Sequence, residues 1–135
     1  MARLTAELGY PAETAEIAQR FSELDGREDH YIIVAEKGDN HLLGTVMAER
    51  RSLLVCGPRV EIMGLVVSAE ARRKGIAKAL ARAVEEWARQ LGVERVVVRS
   101  NLLRPESHPF YEGIGYRRDK TQHVYSKSLG KQKFV

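Results

Sequence analysis

The chain has 135 residues, of which 44% are hydrophobic and 30% are charged, and its formal net charge is +4 at pH 7. This length and hydrophobic content predict one compact domain over residues 1–135, with no internal repeat. The modest basic excess fits an anionic cofactor, although a nucleic-acid partner or solubility alone would also account for it.

Several classes of protein are excluded by what the sequence lacks. The one cysteine, Cys56, excludes an intrachain disulfide, and we interpret it as an uninvolved thiol because no histidine lies near it in sequence. No apolar run approaches the ~20 residues of a membrane span, and the N-terminus lacks the apolar core of a secretory signal. Basic residues outside one cluster alternate with acidic ones, which disfavours nucleic-acid binding. A cytoplasmic protein without a membrane partner is therefore expected.

The N-terminal part of the chain predicts a helix, a hairpin and a third strand. The helix covers residues 12–24, because apolar residues recur there at helical spacing between Pro11 and Gly26. Strands are predicted at 31–35 and 41–51, joined by a turn at 37–40, and at 60–67 after a break at Gly57 and Pro58.

The C-terminal part continues with alternating helices and strands. An amphipathic helix is predicted at 75–91, with Gly92 as its left-handed C-cap, and a buried strand at 93–99. A short helix at 104–113 and one or two strands within 116–129 complete the chain. Because a strand, a helix and a strand in succession form a right-handed crossover, the two flanking strands should be parallel. The fold class is therefore α/β, with a mixed sheet and helices on its faces.

The most informative segment joins the third strand to the amphipathic helix. It has an apolar strand end at Leu65, Val66 and Val67, a basic loop with Arg72, Arg73 and Lys74, and a helix start at Gly75, Ile76, Ala77 and Lys78. Such a turn directs backbone N–H groups and the positive end of a helix dipole at one point, which suits a pyrophosphate. A glycine at position 75 allows close backbone approach to the phosphates.

Two motifs in this order give the chain a family resemblance. The loop reads Arg-x-x-Gly-x-Ala from Arg72 to Ala77, after a strand of sequence EIMGLVV. Further along, Ser100-Asn101-Leu102 precedes Ser107-His108-Pro109-Phe110-Tyr111-Glu112-Gly113-Ile114-Gly115-Tyr116. Together they resemble the two signatures of the GNAT superfamily of acyl-CoA N-acyltransferases.

The resemblance implies a mostly antiparallel sheet whose parallel pair is splayed at the cofactor site. The backbone of Leu65, Val66 and Val67 would pair with the pantetheine arm of acetyl-CoA, the cosubstrate, and the loop with Arg73 and Lys78 would hold the pyrophosphate. Family members usually have a further strand and helix before the position of Pro11, so either the first strand is missing or the given sequence starts late. A homodimer, or a borrowed neighbouring element, would protect the resulting sheet edge.

The resemblance also suggests which residues catalyse transfer. Tyr111 would protonate the leaving thiolate, since the pKa of a phenol, ~10, is close to that of a thiol; the alternative is a packed helix tyrosine. Asn101 and Phe110 would contact the cofactor, although Asn101 could equally form a turn. Glu61, a carboxylate on an apolar strand, is the candidate base for the amine, with a solvated or ion-paired carboxylate as the alternative. His30 and His108 are further candidates.

The function predicted from the sequence is transfer of an acetyl group from acetyl-CoA to an amine by direct attack in a ternary complex. No nucleophile is placed for a covalent enzyme intermediate. The acceptor amine is left open among small amines, antibiotics, amino acids and proteins. A non-catalytic CoA-binding or regulatory domain and a basic nucleic-acid module are the alternatives.

Overall fold

The computed structural model describes residues 28–37, 41–72, 74–99 and 107–130. These residues belong to two compact units, Met1–Arg99 and Ser100–Val135. The predicted helix at 12–24, most of the turn at 37–40, Arg73 and Asn101 lie outside the described residues. That the two units form one acyltransferase domain stays a prediction.

A four-stranded mixed sheet forms the first unit. Its strands lie in the order β1-β2-β3-β4, with bounds β1 His30–Lys37, β2 His41–Leu53, β3 Gly57–Val67 and β4 Val96–Val98. β1 pairs with β2 and β2 with β3 in antiparallel fashion, whereas β3 and β4 are parallel. The predicted parallel pair and the mostly antiparallel sheet are confirmed.

One helix, α1 (Ile76–Gln90), packs against β1, β2 and β3. Its buried residues meet those of the sheet in a core of small and β-branched side chains: Val46, Ala48, Val60, Ile62, Leu80, Val84, Ala88 and Val93. Trp87 stacks on Tyr31 of β1 with 5.0 Å between ring centroids and packs against this core. Leu91, the last residue of the predicted helix, lies just after α1 and is exposed.

The end of α1 confirms the predicted glycine cap. Gly92 has φ 74°, and the N–H of Val93 donates to the carbonyl of Ala88 at 2.9 Å. This is the bond from the second residue beyond the cap to the third-last helical carbonyl, the Schellman arrangement that needs a left-handed residue between them. The chain therefore leaves the helix in a fixed direction and returns to the sheet as β4.

A bulge bends β3 at Met63. Gly64 pairs with Met47 and Ile62 with Ala48, so two consecutive residues of β2 oppose three of β3. The extra residue shifts the alternation: Val60 and Ile62 face the core before the bulge, and Leu65 packs against the same core after it. Such bulges bend the strand that carries them, and this one lies where the parallel pairing with β4 ends.

The strands of the structure differ from the predicted ones in several places. β3 begins at Gly57 rather than after Pro58, which a strand tolerates near its start. β4 covers Val96–Val98 only. The strands predicted within 116–129 are wrong: residues 116–130 have no strand assignment, and Val124 and Tyr125 are 85% and 90% exposed, whereas a strand requires a hydrogen-bonded partner.

In the second unit, helix α2 (Ser107–Gly113) forms within the predicted range 104–113, and residues 104–106 are not described. Of the helices predicted on both faces of the sheet, α1 accounts for one face. The helix predicted at 12–24 lies outside the described residues, so the expectation of helices on both faces stays a prediction.

Candidate functional site

β3 and β4 part in the middle of β3. Their parallel register covers residues 60–62 of β3 and ends at Ile62 opposite Val98. On its other side β3 remains paired with β2 to its end, where Val67 lies opposite Gly44. Among the described residues, no strand pairs with the outer edge of Leu65, Val66 and Val67. An extended ligand could therefore add to this edge through backbone hydrogen bonds.

The side chains of these three residues have a packing role. Leu65 and Val67 contact the hydrophobic core, and Val66 is 4% exposed. The backbone of this segment is therefore held rigidly from both faces of the sheet. A binding edge fixed in this way loses little conformational entropy when a ligand pairs with it.

The loop after β3 ends at a glycine whose backbone has a left-handed conformation, which other residues rarely adopt. Gly75 has φ 77° and ψ 9° and caps the N-terminus of α1. A Cβ built on it meets no atom within 4 Å, so the space beside its backbone is open. The first turn of α1 contains no acidic residue, and Arg72 and Lys74 are exposed beside it.

The start of α1 presents several N–H donors at this open space. The first intrahelical bond runs from Ala79 N–H to Gly75 O at 3.0 Å, and the N–H groups of Ile76, Ala77 and Lys78 precede it without a helical acceptor. With the helix dipole and the two exposed cations, they form a positively polarised cradle. A helix start of this kind suits an anionic group such as a pyrophosphate, and the assignment of this loop to the pyrophosphate stays a prediction.

Ser68, which sequence analysis did not single out, lies between the β3 edge and this loop. It is 2% exposed, and its Oγ has no hydrogen-bond partner among the described residues. Its N–H donates to Leu43 O at 2.8 Å, and Glu70 nearby pairs with His41 at the start of β2. These two contacts attach the loop to β2. In the sequence, the only sign of this residue was that a serine directly follows a buried strand.

Glu61 is buried among arginines. It is 1% exposed, and its carboxylate lies 3.0 Å from Arg59 Nη2, 3.2 Å from Arg51 Nη1 and 3.4 Å from Arg99 Nη2. The sequence left open whether the Glu61 carboxylate is solvated or ion-paired. In the structure it is ion-paired, and the solvated alternative is wrong. A carboxylate accepts about four hydrogen bonds, so three guanidinium contacts leave room for one more.

The same face of the sheet carries a second carboxylate, Glu49 of β2, directly opposite Glu61 in the register. Glu49 lies 3.5 Å from Arg51 Nε and 3.2 Å from His30 Nε2, and Nδ1 of His30 lies 2.8 Å from Asp29. The structure thus places His30 in a chain of charged groups that leads to Glu61. Sequence analysis missed Glu49 and the arginines.

An aromatic group surrounds Tyr111 in the second unit. Tyr111 is partly buried in α2, and its ring has edge contacts with Phe110 and Tyr116 at centroid distances of 5.0 and 5.8 Å. The N–H of Tyr116 donates to Tyr111 O at 2.9 Å, and this hydrogen bond forms a turn directly after the helix. His108 is partly buried, rather than fully in solvent. Tyr111 and Glu61 belong to different units.

The described residues contain no group of three or more His, Cys, Asp or Glu side chains that could hold a metal ion. None of their helices is long and apolar enough to cross a membrane.

Comparison with known proteins assigns the family. The sequence matches the model of the acetyltransferase (GNAT) family over residues 2–116. The chain belongs to this family, and the membership predicted from the two motifs is confirmed.

A curated relative is glucosamine 6-phosphate N-acetyltransferase 1 of Oryza sativa subsp. japonica, which is 32% identical over 107 residues. The match covers 76% of this chain and 63% of the rice protein. The chain therefore spans less than two thirds of the length of this relative.

Solved structures share the fold. The aminoglycoside N-acetyltransferase AAC(6')-Iy in complex with CoA superposes with a TM-score of 0.83 at 21% identity, over 93% of this chain and 85% of the other. The aminoglycoside 6'-N-acetyltransferase AAC(6')-IG of Acinetobacter haemolyticus gives a TM-score of 0.76 at 23% identity, over 87% and 83%. At these identities the likeness establishes the fold.

Proposed function

We propose that the protein is an N-acetyltransferase that moves an acetyl group from acetyl-CoA to an amine. The observation that carries the proposal is the continuous donor site formed by the open β3 edge, the basic loop and the N-terminus of α1. Family membership and the CoA bound to a protein of the same fold support it.

On this proposal, each part of the donor site holds one part of acetyl-CoA. The backbone of Leu65, Val66 and Val67 pairs with the pantetheine arm, and a backbone N–H at this edge polarises the thioester carbonyl. The cradle at Gly75 holds the pyrophosphate. Arg73 and Lys78 are proposed to assist the cradle, and Asn101 and Phe110 to contact the arm.

Transfer then needs two proton movements. The amine nitrogen attacks the thioester carbon, the carbon–sulfur bond breaks, and the departing thiolate takes a proton from the phenol of Tyr111. Direct attack with both substrates bound is proposed, since acyl transfer through the enzyme would need an activated nucleophile.

Glu61 is the proposed acceptor of the amine proton. A free alkylamine is mostly protonated near pH 7, with a reference pKa of ~10.4, so its proton must leave before attack. Because Glu61 is 1% exposed, the proton reaches it through a water rather than by direct contact. Its one remaining acceptor position is where that water binds.

The alternative function is a non-catalytic CoA-binding or regulatory domain of the same family. It would use the same donor site but needs neither an acceptor nor Tyr111. The two proposals therefore differ in one observable, the formation of an acetylated amine.

The test is consumption of acetyl-CoA by the purified protein with a panel of primary amines. We expect thiol release with at least one amine to exceed the release without amine by about 10-fold or more, since general acid–base catalysis alone contributes ~10²-fold. Thiol release that is the same with and without every amine, with CoA still bound, would support the non-catalytic alternative.

A further inference from the structure

The proposed base, Glu61, is almost completely shielded from solvent. Its side chain is 1% exposed, and each round of transfer delivers one amine proton to it. A base must lose that proton before it can serve a second amine. A path for the proton from Glu61 to the protein surface is therefore part of the chemistry that the proposed function requires.

The carboxylate nearest to Glu61 along the sheet is that of Glu49. The two residues lie directly opposite each other in the β2–β3 register, and opposed residues of this kind have Cβ atoms about 5 Å apart. Arg51 contacts both carboxylates, with its Nε 3.5 Å from Glu49 Oε1 and its Nη1 3.2 Å from Glu61 Oε2. One guanidinium thus holds the two carboxylates within the span of a single bridging water.

His30, at the start of β1, faces a carboxylate at each of its ring nitrogens. Nε2 lies 3.2 Å from Glu49 Oε2, and Nδ1 lies 2.8 Å from Asp29 Oδ1. A neutral imidazole has one N–H donor and one acceptor nitrogen. With its proton on Nδ1, the ring donates to Asp29 and directs its acceptor nitrogen at Glu49, where it can take up a proton.

An imidazolium at this position has both of its N–H groups satisfied, because each donates to a carboxylate. Helix α1 packs on the other face of β1, where Tyr31 stacks on Trp87, since neighbouring strand residues point to opposite faces. Among the described residues, the charged groups in contact with His30 are therefore Asp29 and Glu49, with Arg51 beyond Glu49.

The series of side chains ends at the protein surface. Asp29 is 44% exposed, whereas His30 is 12% exposed and Glu61 is 1% exposed. The backbone carbonyl of Asp29 accepts a hydrogen bond from the N–H of Arg50 at 2.8 Å, which attaches this end of the series to β2. The outermost carboxylate is thus both fixed and open to water.

We propose that Glu49, His30 and Asp29 form a proton relay that returns Glu61 to its basic form after each transfer. The inference rests on the proposed function and extends it from the uptake of the amine proton to its release. Imidazole is a stronger base than a carboxylate, with reference pKa values of ~6.5 and ~4.3, so the proton moves from the glutamates to the ring. Histidine suits such a step because its two nitrogens take opposite roles.

The relay moves one proton per turnover. The proton on Glu61 passes through a water to Glu49 and then forms the Nε2–H bond of His30. The Nδ1–H bond of the resulting imidazolium breaks, and this proton passes to the Asp29 carboxylate and from there to solvent. Proton exchange between the neutral ring and water restores the starting tautomer, so no charge accumulates.

The variant His30→Gln tests the relay, because glutamine keeps a donor and an acceptor but does not take up a proton. Turnover is measured with saturating acetyl-CoA and a functional amine, first in dilute buffer and then with increasing tertiary-amine buffer, which cannot itself be acetylated. We expect kcat of the variant to fall about 10-fold in dilute buffer, less than the ~10²-fold of a direct acid or base. Added buffer should restore it, whereas the wild-type kcat should not depend on the buffer.

The matched control is His123→Gln, which changes an exposed histidine of the second unit whose ring lies near that of Tyr125. It should keep the wild-type kcat in every buffer. If His30→Gln does the same, the proton leaves Glu49 without the ring, and the inference is overturned. A decrease in kcat that the buffer does not restore also overturns it, because a proton carrier does not repair lost packing or lost ion pairs.

A second variant, Asp29→Asn, keeps the relay testable if His30→Gln does not fold, as judged by its melting temperature. It changes a side chain that is 44% exposed, and it removes the last proton acceptor. We expect a decrease in kcat of up to about 10-fold that the buffer restores, and an unchanged kcat would contradict the relay. A wild-type protein that acetylates no amine contradicts the proposed function and the relay together, whereas an active wild type with these variants unaffected contradicts the relay alone.

Discussion

Replacement of Tyr111 by phenylalanine should lower turnover about 10²-fold, the usual contribution of a positioned acid. The substitution keeps the aromatic ring and its edge contacts with Phe110 and Tyr116, and it removes only the hydroxyl. CoA affinity and the melting temperature should therefore change little. The measurement is kcat with saturating acetyl-CoA and a functional acceptor, under conditions where the chemical step limits the rate.

Tyr116→Phe is the matched control, because this neighbouring tyrosine belongs to the same aromatic group but is not part of the proposed acid–base chemistry. It should retain turnover close to the wild-type value. If Tyr111→Phe retains it as well, the departing thiolate is protonated by solvent, and the role of Tyr111 is packing alone.

Replacement of Glu61 by alanine should destabilise the protein strongly. The side chain is 1% exposed, and its loss leaves three guanidinium groups without their shared counter-ion. Removing one partner of a buried ion pair typically costs about 3–5 kcal/mol. Since Arg51 and Arg99 remain partly in water, we expect a decrease of about 3 kcal/mol in the free energy of unfolding, measured by urea denaturation.

The matched control is Glu86→Ala, which removes an exposed carboxylate and its pair with Arg89. Surface pairs of this kind contribute less than about 1 kcal/mol. A loss at Glu61 no larger than that at Glu86 would mean that the arginines are solvated independently of it.

Glu61→Gln separates the proposed base from the structural anion. The amide still accepts hydrogen bonds from the arginines but takes up no proton, so a folded variant reports on catalysis. If Glu61 is the base, turnover should fall and recover partly as the pH is raised, because more of the amine is then free. A turnover unchanged at every pH would leave Glu61 with a structural role only.

The sheet could be predicted largely from local patterns. Apolar runs bounded by turn residues predicted β1, β2 and most of β3, and the strand–helix–strand succession predicted the parallel pair, because right-handed crossovers have few alternatives. The strands predicted within 116–129 failed for a physical reason. Residues such as Val124 and Tyr125 have a high strand propensity, whereas strand formation also depends on a partner edge that the segment itself does not specify.

One part of the candidate site could be predicted from consecutive residues, and the other depends on the register of the strands. The cradle at Gly75 follows from consecutive residues and was predicted, as was the helix that carries Tyr111. The arginines that contact Glu61 lie on β2, on β3 and directly after β4, and their grouping depends on the register that sets Arg51 opposite Arg59 and Glu49 opposite Glu61. Glu61 was noticed because one charge in an apolar strand is unusual. Its partners are 2 to 38 residues away in sequence, so no local pattern indicated them.

The central claim is that the cradle at Gly75 holds the pyrophosphate of acetyl-CoA. The two glycines that flank α1 allow a matched test. Gly75 and Gly92 lie at opposite ends of the helix, have φ 77° and 74°, and both face open space, so aspartate strains both backbones alike. CoA binding is measured by calorimetry on the wild-type protein and both variants. We predict that Gly75→Asp weakens CoA binding by about 10-fold or more, because the carboxylate enters the cradle and repels the phosphates, and that Gly92→Asp binds as the wild type does. Equal affinity in all three proteins would contradict the donor site at Gly75.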